Sequence, residues 1–255
     1  MSAYDRLFHP RGIAVIGASA DLTRISGQPI KALKAAGYKG GLYLVNPKYA
    51  SLHDLPCFPT ATAIGKPCDL AVVAVPAASV PEAIRDCGKA GIGFAVVLTA
   101  GFREVGKGGE AIEAALKLAV EESGVRVIGP NCQGMVALHD RVWACFGSIS
   151  EETALRPGAV SCVFQSGGFG YAIVNLAEAQ GVGFRHCVSS GNETDLTTPE
   201  LLSAFLNDPG THLAFAVIEG TPDARRLMEA GLKGLRLGKP VLVWKTATTE
   251  AGAKA

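Results

Sequence analysis

Short apolar runs recur along this chain, and each is followed by a stretch whose apolar residues return with helical spacing. The runs are rich in Val and Ile and apolar on both faces, which is typical of parallel strands covered by helices. The predicted strands are 13–17, 42–45, 70–75, 95–98, 125–128, 159–164, 185–189, 213–218 and 241–245. The predicted helices are 28–36, 79–90, 109–123, 169–180, 198–206 and 224–237. Alternating strands and helices predict an α/β protein with doubly wound sheets.

This alternation breaks between residues 129 and 157, where glycine and proline interrupt an irregular stretch. A new series of strands and helices starts near Gly158. Because 255 residues are enough for two domains, we expect one domain at 1–150 and a second at 151–255.

Composition excludes several classes of protein. Hydrophobic residues make up 48% of the chain and charged residues 18%, as in a well-packed globular protein. The net charge of +1 gives no reason to expect binding to nucleic acid or to an anionic membrane. Seven cysteines without a Cys-x-x-Cys pair predict reduced, buried thiols in a cytoplasmic protein with no metal site. No apolar run approaches the roughly 20 residues that a membrane span needs.

The first strand runs into a turn where a nucleotide ligand normally binds in such folds. The candidate binding residues of this turn are Gly17, Ala18, Ser19 and Gly27. The dinucleotide fingerprint Gly-x-Gly-x-x-Gly fails, because Ser19 and Leu22 stand where its second and third glycines would be. Since Gly27 is the next glycine, the loop is long and the helix is expected to start late.

The end of the second strand narrows the choice of nucleotide. NAD enzymes place an acidic residue there, whereas this chain has Asn46, Pro47 and Lys48. A lysine at this point favours a ribose with an extra phosphate, which leaves NADP and coenzyme A (CoA) as candidates. The alternative is that Lys48 is a solvated surface residue.

Three further strand ends are expected at the same crevice, because the carboxyl ends of parallel strands line the ligand site of an open sheet. Their candidate residues are Val75, Pro76, Ala77, Thr99, Ala100, Gly101, Asn131 and Cys132. Most are small, which leaves room for a slender arm such as pantetheine.

In the second half, Ser166, Gly167 and Gly168 follow a strand and begin a helix. Free backbone N–H groups and the helix dipole make this an anion site suited to phosphate. A serine nucleophile elbow is excluded, because Phe164 stands where that motif needs glycine. Glu219 ends a later strand, where a carboxylate can orient an imidazole or simply be solvated.

Taken in order, these segments resemble the α part of the ADP-forming acyl-CoA synthetases, relatives of succinyl-CoA synthetase. The matching segments are 17–19, 45–48, 74–77, 99–102, 128–134, 166–168, 191–193, 219–220 and 249–255. The resemblance implies a Rossmann-like CoA-binding domain followed by a flavodoxin-like domain of the succinyl-CoA synthetase type.

The resemblance also implies an activity. Acid, CoA and ATP would interconvert with acyl-CoA, ADP and phosphate through an acyl phosphate and a phosphohistidine. Mg²⁺ and the nucleotide would be bound mainly by an ATP-grasp subunit or fused domain, in a complex expected to be oligomeric. The phosphohistidine would lie just beyond Ala255, so this chain alone is expected to be inactive.

Carried over to this chain, the catalytic residues would be Ser166, Gly167 and Gly168, which hold phosphate, and Glu219, which orients the histidine. Lys48 and the strand-end loops would hold CoA, with Asn131 and Cys132 near the thioester. A partner subunit would also require an exposed apolar surface on the second domain. The rival hypotheses are a CoA-binding regulatory module fused to a protein acetyltransferase and an NADP-dependent oxidoreductase.

Overall fold

A computed structural model describes residues 4–246 of the chain, which form two sheets flanked by helices. The strands are β1 (Gly12–Ile16), β2 (Gly41–Val45), β3 (Ser51–Leu52), β4 (Leu55–Phe58), β5 (Leu70–Val73), β6 (Phe94–Val97), β7 (Arg126–Ile128), β8 (Gly134–Ala137), β9 (Val142–Cys145), β10 (Pro157–Phe164), β11 (Phe184–Ser189), β12 (Leu213–Ile218) and β13 (Val241–Lys245). The α-helices are α1 (Asp5–Phe8), α2 (Gln28–Ala36), α3 (Val80–Lys89), α4 (Lys107–Ser123), α5 (Gly167–Ala179), α6 (Thr198–Asn207) and α7 (Ala224–Leu237). Every predicted strand and helix is present with small shifts at its ends, which confirms the predicted α/β architecture.

The first sheet has the strand order β3-β4-β2-β1-β5-β6-β7. All of its pairings are parallel except that between β3 and β4. The chain leaves β1 toward β2 on one side and returns to β5 on the other. The carboxyl ends of β1 and β5 therefore flank the point where strand order reverses, which is the usual ligand site of a doubly wound sheet.

The second sheet has the order β13-β12-β10-β11-β8-β9 and repeats this arrangement around β10. Strands β11 and β12 lie on either side of β10 and parallel to it. A second reversal point therefore lies at the carboxyl ends of β10 and β12.

The antiparallel hairpin of β8 and β9 was missed by the sequence reasoning, which predicted an irregular stretch there. Strand β8 pairs with β11, so the hairpin belongs to the second sheet although it precedes residue 150. Each of its strands has only four residues, all buried, which is too short for periodicity to identify. The domain boundary at residue 150 stays a prediction.

The two sheets share apolar packing and an ion-pair network. One cluster of buried side chains includes Val72 of β5 and Val188 of β11. In the gap between the sheets, Arg126 of β7 donates to Asp195 over 3.0 Å and to Glu200 over 3.1 Å. These contacts tie the edge strand β7 of the first sheet to the loop and helix α6 that follow β11 of the second.

The second domain exposes large apolar side chains, as expected. They lie on α5, α7 and the edge strand β13, and are Phe169, Leu176, Met228, Leu232, Leu235, Leu237, Leu242, Val243 and Trp244. The rings of Phe169 and Trp244 are in contact, with centroids 5.5 Å apart. No helix among residues 4–246 is long and apolar enough to span a bilayer.

Candidate functional site

A cleft of about 1020 Å³ lies where the reversal points of the two sheets meet. Ten of the predicted site residues line it, and they come from three strand ends of the first sheet and from the ends of β10 and β12 of the second. They are Val75, Pro76, Thr99, Ala100, Asn131, Cys132, Ser166, Gly167, Gly168 and Glu219. Residues from the two halves of the sequence thus share one solvent-open space.

The remaining predicted binding residues do not line this cleft. They are Gly17, Ala18, Ser19, Gly27, Asn46, Pro47, Lys48, Ala77 and Gly101. Asn46 connects the first two strand ends, because its Nδ2 donates to the Ala18 carbonyl over 2.9 Å and its Oδ1 accepts the Lys48 N–H over 3.0 Å. The Lys48 side chain is exposed, and a role for it in binding stays a prediction.

Sequence reasoning missed several residues that line the cleft. They include Thr23, Arg24, Ile25, Ser26, Gln133, Phe146 and Gln165. Of these, Arg24 could have been proposed from the sequence, because it is a basic residue in the long loop after β1. In the structure its Nε lies 3.6 Å from the Oδ2 of Asp21. The others depend on how distant segments meet, which no local motif reports.

Hydrogen bonds hold together the strand ends that form the first wall. The hydroxyl of Thr99 donates to the Val75 carbonyl over 2.7 Å, and the N–H of Asn131 donates to the Thr99 carbonyl over 2.9 Å. Cys132 is buried, and its thiol donates to the Val97 carbonyl over 3.3 Å. Burial raises the pKa of this thiol to about 12, so it is protonated at neutral pH and is not a nucleophile.

The loop after β11 closes against this wall at Gly191. Its φ is +57°, and a Cβ there would lie 2.3 Å from the Pro130 carbonyl oxygen. Glycine is therefore required for the two loops to approach. Next to it, the N–H of Asn192 donates to the Pro130 carbonyl over 2.9 Å, and the Nδ2 of Asn131 donates to the Oδ1 of Asn192 over 3.2 Å.

A further link between the domains starts from the loop after β6. The Nδ2 of Asn192 donates to Glu104 over 2.6 Å, and Arg103 donates to the Asn192 carbonyl. Burial opposes the charged form of Glu104. Hydrogen bonds from Asn192 and from the backbone N–H groups of Gly101 and Phe102 nevertheless hold its pKa below the ordinary value. Glu104 is therefore an anion that ties the two walls together.

The second wall contains the start of helix α5. Ser166 is its N-cap residue, and the Ser166 side chain makes no capping hydrogen bond. Ser166, Gly167 and Gly168 line the cleft, so the first turn of this 13-residue helix lies beside it at the positive end of the helix dipole. This arrangement suits a phosphate or phosphoryl group.

Gln165 fixes the turn that carries Glu219. Its Oε1 accepts the N–H groups of Glu219 at 2.7 Å and Gly220 at 3.1 Å, and its Nε2 donates to the Gly220 carbonyl over 2.8 Å. The Nζ of Lys245 donates to the Glu219 carbonyl over 2.7 Å. The backbone of Glu219 is thus held from two strands, and its exposed side chain lines the same cleft as Ser166.

Two family models match the chain, in the order of its two sheets. A CoA binding domain matches residues 11–137, and a succinyl-CoA ligase like flavodoxin domain matches residues 157–255. The chain therefore combines a CoA-binding domain with a succinyl-CoA ligase-like flavodoxin domain, and in this arrangement it is similar to the α part of the ADP-forming acyl-CoA synthetases.

Individual relatives agree with this assignment. The chain is 36% identical to acetate–CoA ligase (ADP-forming) I of Archaeoglobus fulgidus, over 98% of this chain and 36% of that protein. It is 33% identical to the acetate–CoA ligase (ADP-forming) I α subunit of Pyrococcus furiosus, over 98% of this chain and 54% of that subunit. A solved structure of acetyl-coenzyme A synthetase 1 from Ca. Korarchaeum cryptofilum, in complex with phosphate and ADP, superposes with a TM-score of 0.91. That match has 37% identity and covers 100% of this chain and 54% of that one. The chain thus spans between about a third and about half of the length of these proteins.

Proposed function

We propose that this chain is the CoA- and phosphate-binding portion of an ADP-forming acyl-CoA synthetase. The complete enzyme would interconvert acid, CoA and ATP with acyl-CoA, ADP and phosphate. The observation that carries the proposal is the cleft, because the strand ends of the CoA-binding domain and the start of α5 open into it together. The relatives are named as ligases, so the regulatory-module hypothesis is not favoured.

The residues of this chain would act mainly by binding and by electrostatics. The small residues at the ends of β5 and β6 leave room for the pantetheine arm of CoA, with its sulfur near Asn131. In the direction that consumes acyl-CoA, a phosphate held at Ser166–Gly168 attacks the thioester carbonyl. The C–S bond breaks, the CoA thiolate leaves, and an acyl phosphate forms. The N–H groups of α5 stabilise negative charge on the phosphoryl oxygens during this transfer.

Glu219 would serve the next step. A histidine outside this chain would take the phosphoryl group from the acyl phosphate and release the carboxylate, as in covalent catalysis generally. A carboxylate beside the imidazole orients the ring and stabilises its cationic form. The segment 249–255, which the resemblance places next to that histidine, lies outside the described residues.

The proposed partner is an ATP-grasp subunit or domain that supplies Mg²⁺ and the nucleotide. The exposed apolar side chains of α5, α7 and β13 support a partner surface on the second domain, because a large apolar surface is a common mark of an interface. Oligomerisation and a cytoplasmic location also stay predictions.

The test uses the natural-length protein, co-expressed with any adjacent ATP-grasp subunit. It is incubated with Mg-ATP and examined by intact-mass measurement for an acid-labile phosphoryl adduct. We expect an adduct that CoA plus a carboxylic acid discharges, together with CoA binding in calorimetry. The proposal is wrong if the protein shows neither an adduct nor CoA binding at millimolar CoA, and tighter binding of NADP than of CoA would favour the oxidoreductase hypothesis.

A further inference from the structure

Gln133 is a polar residue of the cleft that the proposed mechanism does not use. It follows Cys132 in the turn after β7, and its backbone is held on both sides. Its N–H donates to the Ser189 hydroxyl over 3.1 Å, and its carbonyl accepts the Phe146 N–H over 3.0 Å. The direction of the side chain is therefore set by strands of the second sheet.

The side chain lies between the phosphate site and the hairpin. A Cβ on Gly167, the first residue of α5, would lie 2.7 Å from the Gln133 Cγ. A Cβ on Gly147, just after β9, would lie 3.3 Å from the Gln133 Nε2. The aliphatic part of Gln133 thus packs on the start of α5, while its amide lies beside Gly147 in a cleft that Phe146 also lines.

The amide of Gln133 has an unused hydrogen-bonding atom. Its Oε1 is buried and has no partner within residues 4–246. The other cleft amides are already engaged, since Gln165 binds the Glu219 turn and Asn131 binds Asn192. A buried acceptor without a partner is unfavourable, so a ligand group that donates to it gains affinity.

We propose that Gln133 selects carboxylic acids whose acyl chain carries a hydroxyl group, an inference that rests on the proposed function. A hydroxyl both donates and accepts, so it pairs with the amide whichever way the amide is turned. The oxygens of a phosphoryl group bound at α5 are mainly acceptors and pair poorly with Oε1. Phe146 supplies an apolar surface for the carbon part of such a chain.

The test compares matched acids on the natural-length enzyme with its partner. The values of kcat/KM are measured for 3-hydroxybutyrate against butyrate and for lactate against propionate. We expect at least one hydroxy acid to be preferred by roughly tenfold, the effect of one well-formed hydrogen bond. In Gln133→Leu, that preference should fall by roughly the same factor. Gln180→Leu, at the exposed end of α5, is the matched control and should keep the preference.

Two results would overturn the inference. One is a wild-type enzyme that does not distinguish the matched acids, and the other is a Gln133→Leu enzyme that loses kcat/KM equally for both. Gln133→Met provides a second variant of similar length if the leucine variant fails to fold. Phosphorylation by Mg-ATP and CoA binding are measured in the same preparations. If the enzyme is phosphorylated and binds CoA but shows no preference for hydroxy acids, only the inference about Gln133 fails. If phosphorylation and CoA binding are both absent, the proposed function fails as well.

Discussion

The start of α5 offers a pair of neighbouring glycines that respond differently to the same substitution. A Cβ on Gly167 would lie 2.7 Å from the Gln133 Cγ, 2.9 Å from the Gln133 Cβ and 2.9 Å from the Ser189 hydroxyl oxygen. A Cβ on Gly168 would have no neighbour within 4 Å. Gly167→Ala and Gly168→Ala therefore add the same methyl group to adjacent positions of one helix, one crowded and one open.

The expected magnitudes follow from this difference. Replacing glycine by alanine at a compatible site stabilises a protein by about 0.4–1 kcal/mol, because the unfolded chain loses freedom. Overpacking typically costs about 1–3 kcal/mol when the neighbours cannot move. Gln133 and Ser189 hold each other through the Gln133 N–H, so neither moves freely. Gly168→Ala should thus be neutral or stabilising, and Gly167→Ala should be less stable than Gly168→Ala by about 1–3 kcal/mol.

Urea unfolding of the two variants and the wild type, followed by circular dichroism, measures the free energies of unfolding. Stability is the appropriate readout because both glycines line the cleft and either change can alter ligand binding. Equal stability of the two variants, or a less stable Gly168→Ala, would refute the packing described at the start of this helix.

Three other predictions concern the cleft and the junction between the domains. A double-mutant cycle of Asn192→Ala and Glu104→Ala, measured by urea unfolding near neutral pH, should give a coupling energy of about 1–2 kcal/mol. This is less than the usual value for a hydrogen bond to a charged group, because Glu104 is exposed to solvent. A coupling energy within error of zero would contradict the hydrogen bond between Asn192 and Glu104. The imidazole of His186 is buried, which lowers its pKa, and its Nε2 lies 2.7 Å from the Oδ2 of Asp208. For Asp208, hydrogen bonds from His186 and Arg185 outweigh the effect of burial and hold the pKa of the carboxyl well below its usual range. Both folded pKa values are depressed, so the stability from this pair should be lost as pH falls below about 6.5 for the imidazole and below about 3.9 for the carboxyl. Below about pH 3.9, where the wild-type carboxyl takes up its proton, the unfolding profile of Asp208→Asn should have a smaller slope than that of the wild type. In the folded protein near pH 8, the Cys132 thiol is protonated and should resist alkylation by iodoacetamide, whereas it should react in urea. Rapid labelling of Cys132 in the folded protein would contradict this prediction.

The sequence by itself determined the order and nature of most elements. Strands such as β1 and β6 are buried on both faces, so each is a continuous apolar run in the sequence. Such a run can be identified as a strand without knowing which strands it pairs with. The glycines after Ser166 likewise identify an anion site locally, because a helix start carries its own N–H groups and dipole. The ordered motifs also indicated the family.

Only the tertiary structure decided how these parts form a site. The hairpin of β8 and β9 escaped prediction because its strands are short and its pairing partner, β11, comes about fifty residues after β8, as the register of His186 with Ala137 shows. Gln133 and Gln165 act through contacts with segments far along the chain, so no pattern around them reveals their partners. The strand ends of both sheets meet in one cleft because long-range contacts, such as that of Arg126 with Asp195, set the relative position of the sheets. Local sequence specifies secondary structure, whereas a shared site depends on which distant surfaces pack together.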